Sequence, residues 1–269
     1  MADEERLGPS TILRPHVEYY PEGLAKRDEF PEHLRSRFNQ LAKGIYPENI
    51  INPLKSAAYQ PTIVGYKHGR DKTSLPPIKK RLELLKQANP GKTLKVAFEI
   101  IPPEQLQYIM HYLADMEYRK SGGVQNRKIT MSPEEYRSKL MSHHAENLAL
   151  WMLENGFNVI PIESKQVKTW IQEARALYPV EEDFWGEREP VEREAFSAIK
   201  RDQYGLGVIA AERPDVIAVG FSHALKYDLL LQRDGERSFY IMKDVINWEQ
   251  DIQLWERVHR TFKAQGALK

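Results

Sequence analysis

Apolar positions along this chain follow two alternating patterns. Short apolar runs bounded by glycine, proline or charge read as buried strands at residues 60–65, 94–100, 157–162 and 216–219, with a shorter run at 239–242. Between them, apolar residues recur at helical spacing. Ile78, Leu82 and Leu85 mark one face of a helix from Ser74 to about Ala88, which Asn89-Pro90-Gly91 stops. Leu106, Ile109, Met110 and Leu113 mark a helix opened by Pro102-Pro103. Ser132-Pro133-Glu134-Glu135 starts a third, closed by Gly156, and Ser164 caps a fourth running towards Leu177. Further helices span 192–211, in spite of Gly205 and Gly207, then 222–231 and 248–262. Strands alternating with helices make βαβ units. The expected fold is α/β, with a mostly parallel sheet and helices on both faces.

Residues 1–57 stand apart from the α/β domain expected over 58–269. They are rich in proline, tyrosine and charge, with few apolar runs. One short helix fits Glu32 to Lys43, after Pro31; the rest reads as an extended arm. Such an arm is either a solvated tail or a segment that wraps the domain or a second subunit, which would make a homo-oligomer. Tyr19-Tyr20 and Ile45-Tyr46 are the candidate anchors, because aromatic side chains favour packing.

Composition narrows the function classes. Of 269 residues, 41% are hydrophobic and 29% charged, an ordinary globular balance. A net charge of +1 gives no global field for nucleic acid, so no nucleic-acid partner is expected. The absence of cysteine excludes disulfides, thiolate catalysis and cysteine-based zinc sites. Neither a secretory signal nor a run of about 18 apolar residues is visible, so the expectation is a soluble, cytoplasmic protein without a membrane partner. The chain also has no G-x-x-x-x-G-K-[ST] phosphate loop.

The candidate chemistry lies at strand ends. Two G-x-x-H tetrapeptides, Gly65-Tyr66-Lys67-His68 and Gly220-Phe221-Ser222-His223, each close an apolar run. Glycine there is expected to let the backbone turn tightly and a ligand approach. Glu99 lies at the end of the second strand and Glu163 directly after the third. A parallel sheet gathers the carboxyl ends of its strands on one edge, so two imidazoles and one or two carboxylates can converge. That donor set suits Mn²⁺, Fe²⁺, Co²⁺ or Zn²⁺ with positions open to water, and a carboxylate outside the ligand set can serve as general base. Taken singly, each residue has a plainer role, capping a helix or making a surface ion pair. Other histidines read as structural. His143-His144 lies near Glu146, but His144 shares a stripe with Leu140, Leu148 and Trp151. His259 shares one with Trp248, Ile252, Trp255 and Phe262. Arg70 and Lys226 are either anion-binding or simply solvated charges.

Over residues 60–232 the order of these motifs resembles the TraB/Tiki group, which includes the GumN and PrgY proteins and, more distantly, EreA- and ChaN-type proteins. The matching order is Gly65-x-x-His68, Glu99 in Phe98-Glu99-Ile100, Ile162-Glu163, Arg201-Asp202-x-Tyr204 and Gly220-x-x-His223, with Ile162 where the group has leucine. The resemblance implies a metal-dependent, hydrolase-like site, metalloprotease-like in Tiki members. His68, Glu99 and His223 would form its core around a divalent metal. Arg201 would bind a substrate carbonyl or carboxylate, or hold a glutamate. The expected function is metal-dependent hydrolysis of a peptide or amide bond, with a peptide or small molecule as substrate and Glu99, Glu163 and Arg201 as catalytic groups. The alternative is a non-catalytic metal- or ligand-binding or assembly module that oligomerises through the arm.

Overall fold

Five short strands form one parallel sheet in the order β3-β2-β4-β1-β5. They are β1 (Thr62–Tyr66), β2 (Lys95–Phe98), β3 (Asn158–Pro161), β4 (Val216–Gly220) and β5 (Ser238–Tyr240). The computed structural model describes residues 32–55, 59–66, 75–99, 101–121, 135, 137–138, 144–177, 191–231, 238–240 and 248–267. The helices among them are α1 (Glu32–Ile45), α2 (Glu48–Leu54), α3 (Leu75–Gln87), α4 (Pro103–Lys120), α5 (His144–Glu154), α6 (Val167–Leu177), α7 (Val191–Glu212), α8 (Phe221–Leu231) and α9 (Trp248–Ala264). None of these is long and apolar enough to cross a membrane.

Strand side chains alternate between two apolar cores. Val64, Val96, Phe98, Val159, Val216 and Ala218 pack with α3, α4 and α5. Ile63, Ala97, Ile217 and Val219 pack with α1, α2 and α6 to α9. Helices therefore cover both faces of the sheet. The face each helix takes follows from direction. From β1 to β2 and on to β3 the chain moves one way across the sheet, with its helices on the first face. From β3 to β4 and on to β5 it moves back, with its helices on the other. Right-handed crossovers require that exchange of faces when direction reverses. Strands β2 and β4 are neighbours whose outgoing connections diverge to opposite faces, the topological position at which open α/β sheets form a ligand crevice between carboxyl ends.

Helix ends follow the sequence signals where the backbone demands them. Gly156 ends α5 with φ +73°, the left-handed position that glycine takes beyond a helix terminus. Residues 32–55 of the segment read as an arm pack on the domain, with the anchors Ile45 and Tyr46 buried, but they are not extended beyond the first helix. Residues 48–54 are helical rather than extended, and Leu34, Phe38, Leu41, Ala42, Ile45, Tyr46, Ile51 and Leu54 all belong to the second core. The first five of these recur at helical spacing along α1, so one stripe faces inward. Arg37 donates to Glu256 of α9 through Nε (3.2 Å) and Nη2 (2.9 Å), and the Phe38 and Trp255 rings meet edge-on at 5.9 Å. Tyr19 and Tyr20 lie outside the described residues. So do Ser74, Ser132 and Pro133.

Because Phe38 fills the junction of α1 with α9, Phe38→Ala should lower the folding free energy by about 3–5 kcal/mol, as large-to-small changes in a packed core do. Urea unfolding checks this, read as a shift in midpoint at constant slope. A change below about 0.5 kcal/mol would mean that α1 is not part of the cooperative core.

Candidate functional site

The pleat of β2 determines where Glu99 points. Val96 and Phe98 enter one core and Ala97 the other, so Glu99 continues the alternation on the side of Ala97, where α7 and α8 lie. There its carboxylate is held on both oxygens. Oε2 accepts the Gly220 N–H at 2.6 Å, across the crevice between β2 and β4, and Oε1 accepts Nη2 of Arg201 at 2.8 Å. The same guanidinium spans Glu163, with Nη2 2.5 Å from Oε2 and Nε 3.2 Å from Oε1. Glu163 Oε1 also accepts the Ser164 N–H at 3.2 Å, at the turn before α6. Arg201 thus bridges the ends of β2 and β3. Burial alone would lower its pKa, but Glu99 and Glu163 outweigh that and raise it.

His223 lies in the first turn of α8, directly after β4. Its Nε2 is 3.3 Å from Glu99 Oε1, and its Nδ1 is hydrogen-bonded to Oδ1 of Asp202. Asp202 follows Arg201 on α7. Its Oδ2 accepts from Nζ of Lys226 and, at 3.1 Å, from the Tyr46 hydroxyl. Burial alone would raise the Asp202 pKa, yet Lys226 and His223 hold it down at about 2. An ionised carboxylate can only accept, so Nδ1 of His223 is the donor and carries its proton. Tyr46 and Tyr227 are buried phenols whose pKa values burial and then Asp202 push well above 10. The Tyr227 oxygen lies close against α7. A Cβ on Gly205 would come within 2.9 Å of it, so glycine is what lets the two helices approach here.

The cluster is graded in depth. Side-chain exposure falls from 30% at Arg201 through 12% at Glu163, 8% at His223 and 7% at Glu99 to 0% at Asp202. Arg201 is the mouth of the site and Asp202 its floor. Two surface cavities of about 300 Å³ lie elsewhere, one against Lys86 and Gly156, the other against Leu41 and His259.

Four of the residues singled out in the sequence therefore come together: Glu99, Glu163, Arg201 and His223. His68 lies outside the described residues. Tyr66, two positions before it, pairs with Gly220 on the adjacent strand. Among the described residues, no three His, Asp or Glu side chains converge as a metal set. The two motif glycines lie within β1 and β4. Positive φ among the described glycines falls at Gly91, Gly156 and Gly266, not at Gly65 or Gly220, and Gly220 contributes its N–H. Lys226 is neither a solvated charge nor a free anion-binding group. It is buried against Asp202, with Nζ 4.8 Å from the centre of the Trp255 ring. His259 packs helix on helix, its Nε2 3.0 Å from the Gly44 carbonyl. The side chain of His144 lies outside the described residues.

Asp202, Lys226 and Tyr46 were missed as members of the site. The signal for Asp202 was present. It occupies the buried stripe Ala195, Ile199, Asp202, Leu206, Ile209 of α7, an acid at a core position. Lys226 follows His223 by three residues, one turn along the same helix.

The Asp202 carboxyl titrates lower in the folded chain than at its ordinary value of 3.8. Its contribution is therefore fully present above pH 3.8 and is lost as pH falls through about 2, amounting to about 2 kcal/mol. Wild type should lose more stability than Asp202→Asn between pH 5 and pH 2.5. Urea midpoints at both pH values check this, and parallel losses in the two proteins would refute it.

In comparisons with known proteins, no family model, no curated protein and no solved structure matches this chain.

Proposed function

We propose that the chain is a metal-dependent hydrolase of the TraB/Tiki type, acting on a peptide or amide bond. The observation that carries this reading is the pair His223 Nε2 and Glu99 Oε1, 3.3 Å apart in the crevice between β2 and β4. Two ligands of one divalent ion, each at about 2.0–2.2 Å, stand at that separation in tetrahedral geometry. The donor chemistry agrees. Asp202 on Nδ1 leaves the lone pair of His223 on Nε2, the arrangement by which a carboxylate orients a metal-ligating imidazole. The motif order supports His68 as a third donor. The ion, when bound, supplies Lewis-acid chemistry, polarising a carbonyl and lowering the pKa of water.

The remaining roles follow from position. Arg201 is the most exposed member and faces the mouth, where its guanidinium can orient a substrate carbonyl or carboxylate. Glu163 lies beside it, with enough exposure to take a proton as general base. Both carboxylates have their two oxygens hydrogen-bonded, so depth and neighbours divide the roles: Glu99, the more buried, faces His223 Nε2 as a ligand, and Glu163, the more exposed, lies beside Arg201 as the base. The bond class comes from the motif resemblance alone.

Metal analysis of untagged protein, followed by amide hydrolysis with added Mn²⁺ or Co²⁺, tests the reading. Wild type should hold a divalent metal and hydrolyse in its presence. His223→Ala should lower metal affinity by more than about 100-fold, since even partners outside the ligand set are worth 10–100-fold. Glu99→Gln should lose both metal and turnover, and Glu163→Gln only turnover. Metal retained without any hydrolysis would leave the binding-module reading, and wild type that binds no metal would end the hydrolase reading and leave only a ligand-binding or assembly module.

A further inference from the structure

We propose that Tyr46, from the N-terminal helix pair, is a positioning residue of this site: with Lys226 it locks the Asp202 carboxylate, which in turn holds the His223 ring with Nε2 towards Glu99. The proposal rests on the functional reading above for its metal readout, though not for its geometry.

Tyr46 follows the last residue of α1 and precedes α2. The turn that carries it is tied from several sides. The Tyr46 N–H donates to the Ala42 carbonyl at 2.8 Å, Gln203 of α7 donates to the Ile45 carbonyl at 2.7 Å, and His259 of α9 reaches the Gly44 carbonyl at 3.0 Å. Three successive residues are thus fixed, and the result is to place one phenol oxygen 3.1 Å from a fully buried carboxylate.

That oxygen completes the set around Asp202. Oδ1 takes the His223 Nδ1–H, and Oδ2 takes Lys226 and Tyr46. Lys226 is a flexible arm with a point charge, so by itself it holds the carboxylate in place but does not fix its plane. Tyrosine has two rotatable side-chain bonds and its backbone is pinned, so its hydroxyl defines the direction from which Oδ2 is held. A carboxylate with both oxygens fixed gives the imidazole one orientation. Tyr46 itself touches neither His223 nor Glu99 among the hydrogen bonds of the site. It acts through Asp202.

The test uses the full chain. Co²⁺ affinity is measured by calorimetry, and the ring N–H resonance of His223 by ¹H–¹⁵N NMR in metal-free protein. Tyr46→Phe removes one oxygen and keeps the ring. It should weaken Co²⁺ binding about tenfold and shift the Nδ1–H resonance. Arg37→Ala removes the paired bonds between α1 and Glu256 without touching the cluster. It should lower the melting temperature and leave both readouts unchanged, which separates positioning from simple loosening of α1. Tyr46→Phe with wild-type affinity and an unmoved resonance overturns the proposal, even if His223→Ala loses the metal. Should wild type bind no Co²⁺, the metal reading fails separately and the resonance alone decides. A shift in Tyr46→Phe supports the positioning role, and no shift refutes it.

Discussion

A single buried carboxylate organises one face of this protein. Withdrawing an anion such as Asp202 from water costs several kcal/mol unless donors replace the lost hydration. The three donors come from two places: His223 and Lys226 on α8, and Tyr46 at the end of α1. Asp202 itself is on α7, so the requirement to satisfy it fixes three helices relative to one another. Lys226 extends the arrangement to a fourth, since its ammonium lies over Trp255 of α9. Apolar packing alone tolerates many such arrangements, whereas a buried charge with fixed donors tolerates few. The opposite face, built by α3, α4 and α5, buries Arg81 and Asn147 beside its apolar cluster.

The strand register carries this organisation to the edge where the site lies. A shift of one residue in β2 would turn Glu99 towards the apolar face and leave Arg201 without it. The register is pinned at the other end of the same strands. Asp215, just before β4, accepts the Lys95 N–H at 2.9 Å and pairs with Lys92 at 2.5 Å, and its own N–H donates to the Lys95 carbonyl at 2.9 Å. Contacts at the amino edge of β2 and β4 thereby set which side chain of β2 faces α7 at the carboxyl edge.

Much of this was legible in the sequence, and the parts that were not share a cause. Local signals sufficed for the elements. The apolar runs ending at Gly65 and Gly220 are strands, Gly156 ends a helix, and α7 passes through Gly205 and Gly207. Gly205 could be seen but not explained, because its reason is the oxygen of Tyr227 on another helix. The gathering of Glu99, Glu163 and His223 followed from a parallel sheet having one carboxyl edge, whereas Arg201, in the middle of α7, was expected there only through the order of motifs in the resemblance. Strand order is a non-local property. That β4 inserts between β1 and β2, and so places Gly220 against Glu99, could not be read from spacing. Tyr46 and Lys226 were missed for the same reason. Tyr46 was read only as a packing anchor and Lys226 only as an anion-binding or solvated charge, because their partner Asp202 is 156 and 24 residues away.

The hydrogen-bond accounting around His223 leads to the centre of the site. Asp202 takes the proton of Nδ1, so the lone pair of a neutral ring is on Nε2. That lone pair faces Oε1 of Glu99 at 3.3 Å, an oxygen that is itself an acceptor. Two acceptors at this distance repel unless something positive stands between them. Arg201 does not fill that place, because its Nη2 is already shared between Glu99 and Glu163. By formal charge, Glu99, Glu163 and Asp202 outnumber Arg201 and Lys226 by one among the described members of the cluster. Position and charge therefore agree on one point in the crevice between β2 and β4, where either a proton or a metal ion relieves the contact. A proton there would make His223 an imidazolium clamped between two carboxylates, a closed structural pair. A divalent ion would be held by the same two donors and would supply Lewis-acid chemistry beside Arg201. The second arrangement gives a use to the partial exposure of Arg201 and Glu163, which a closed pair would not need.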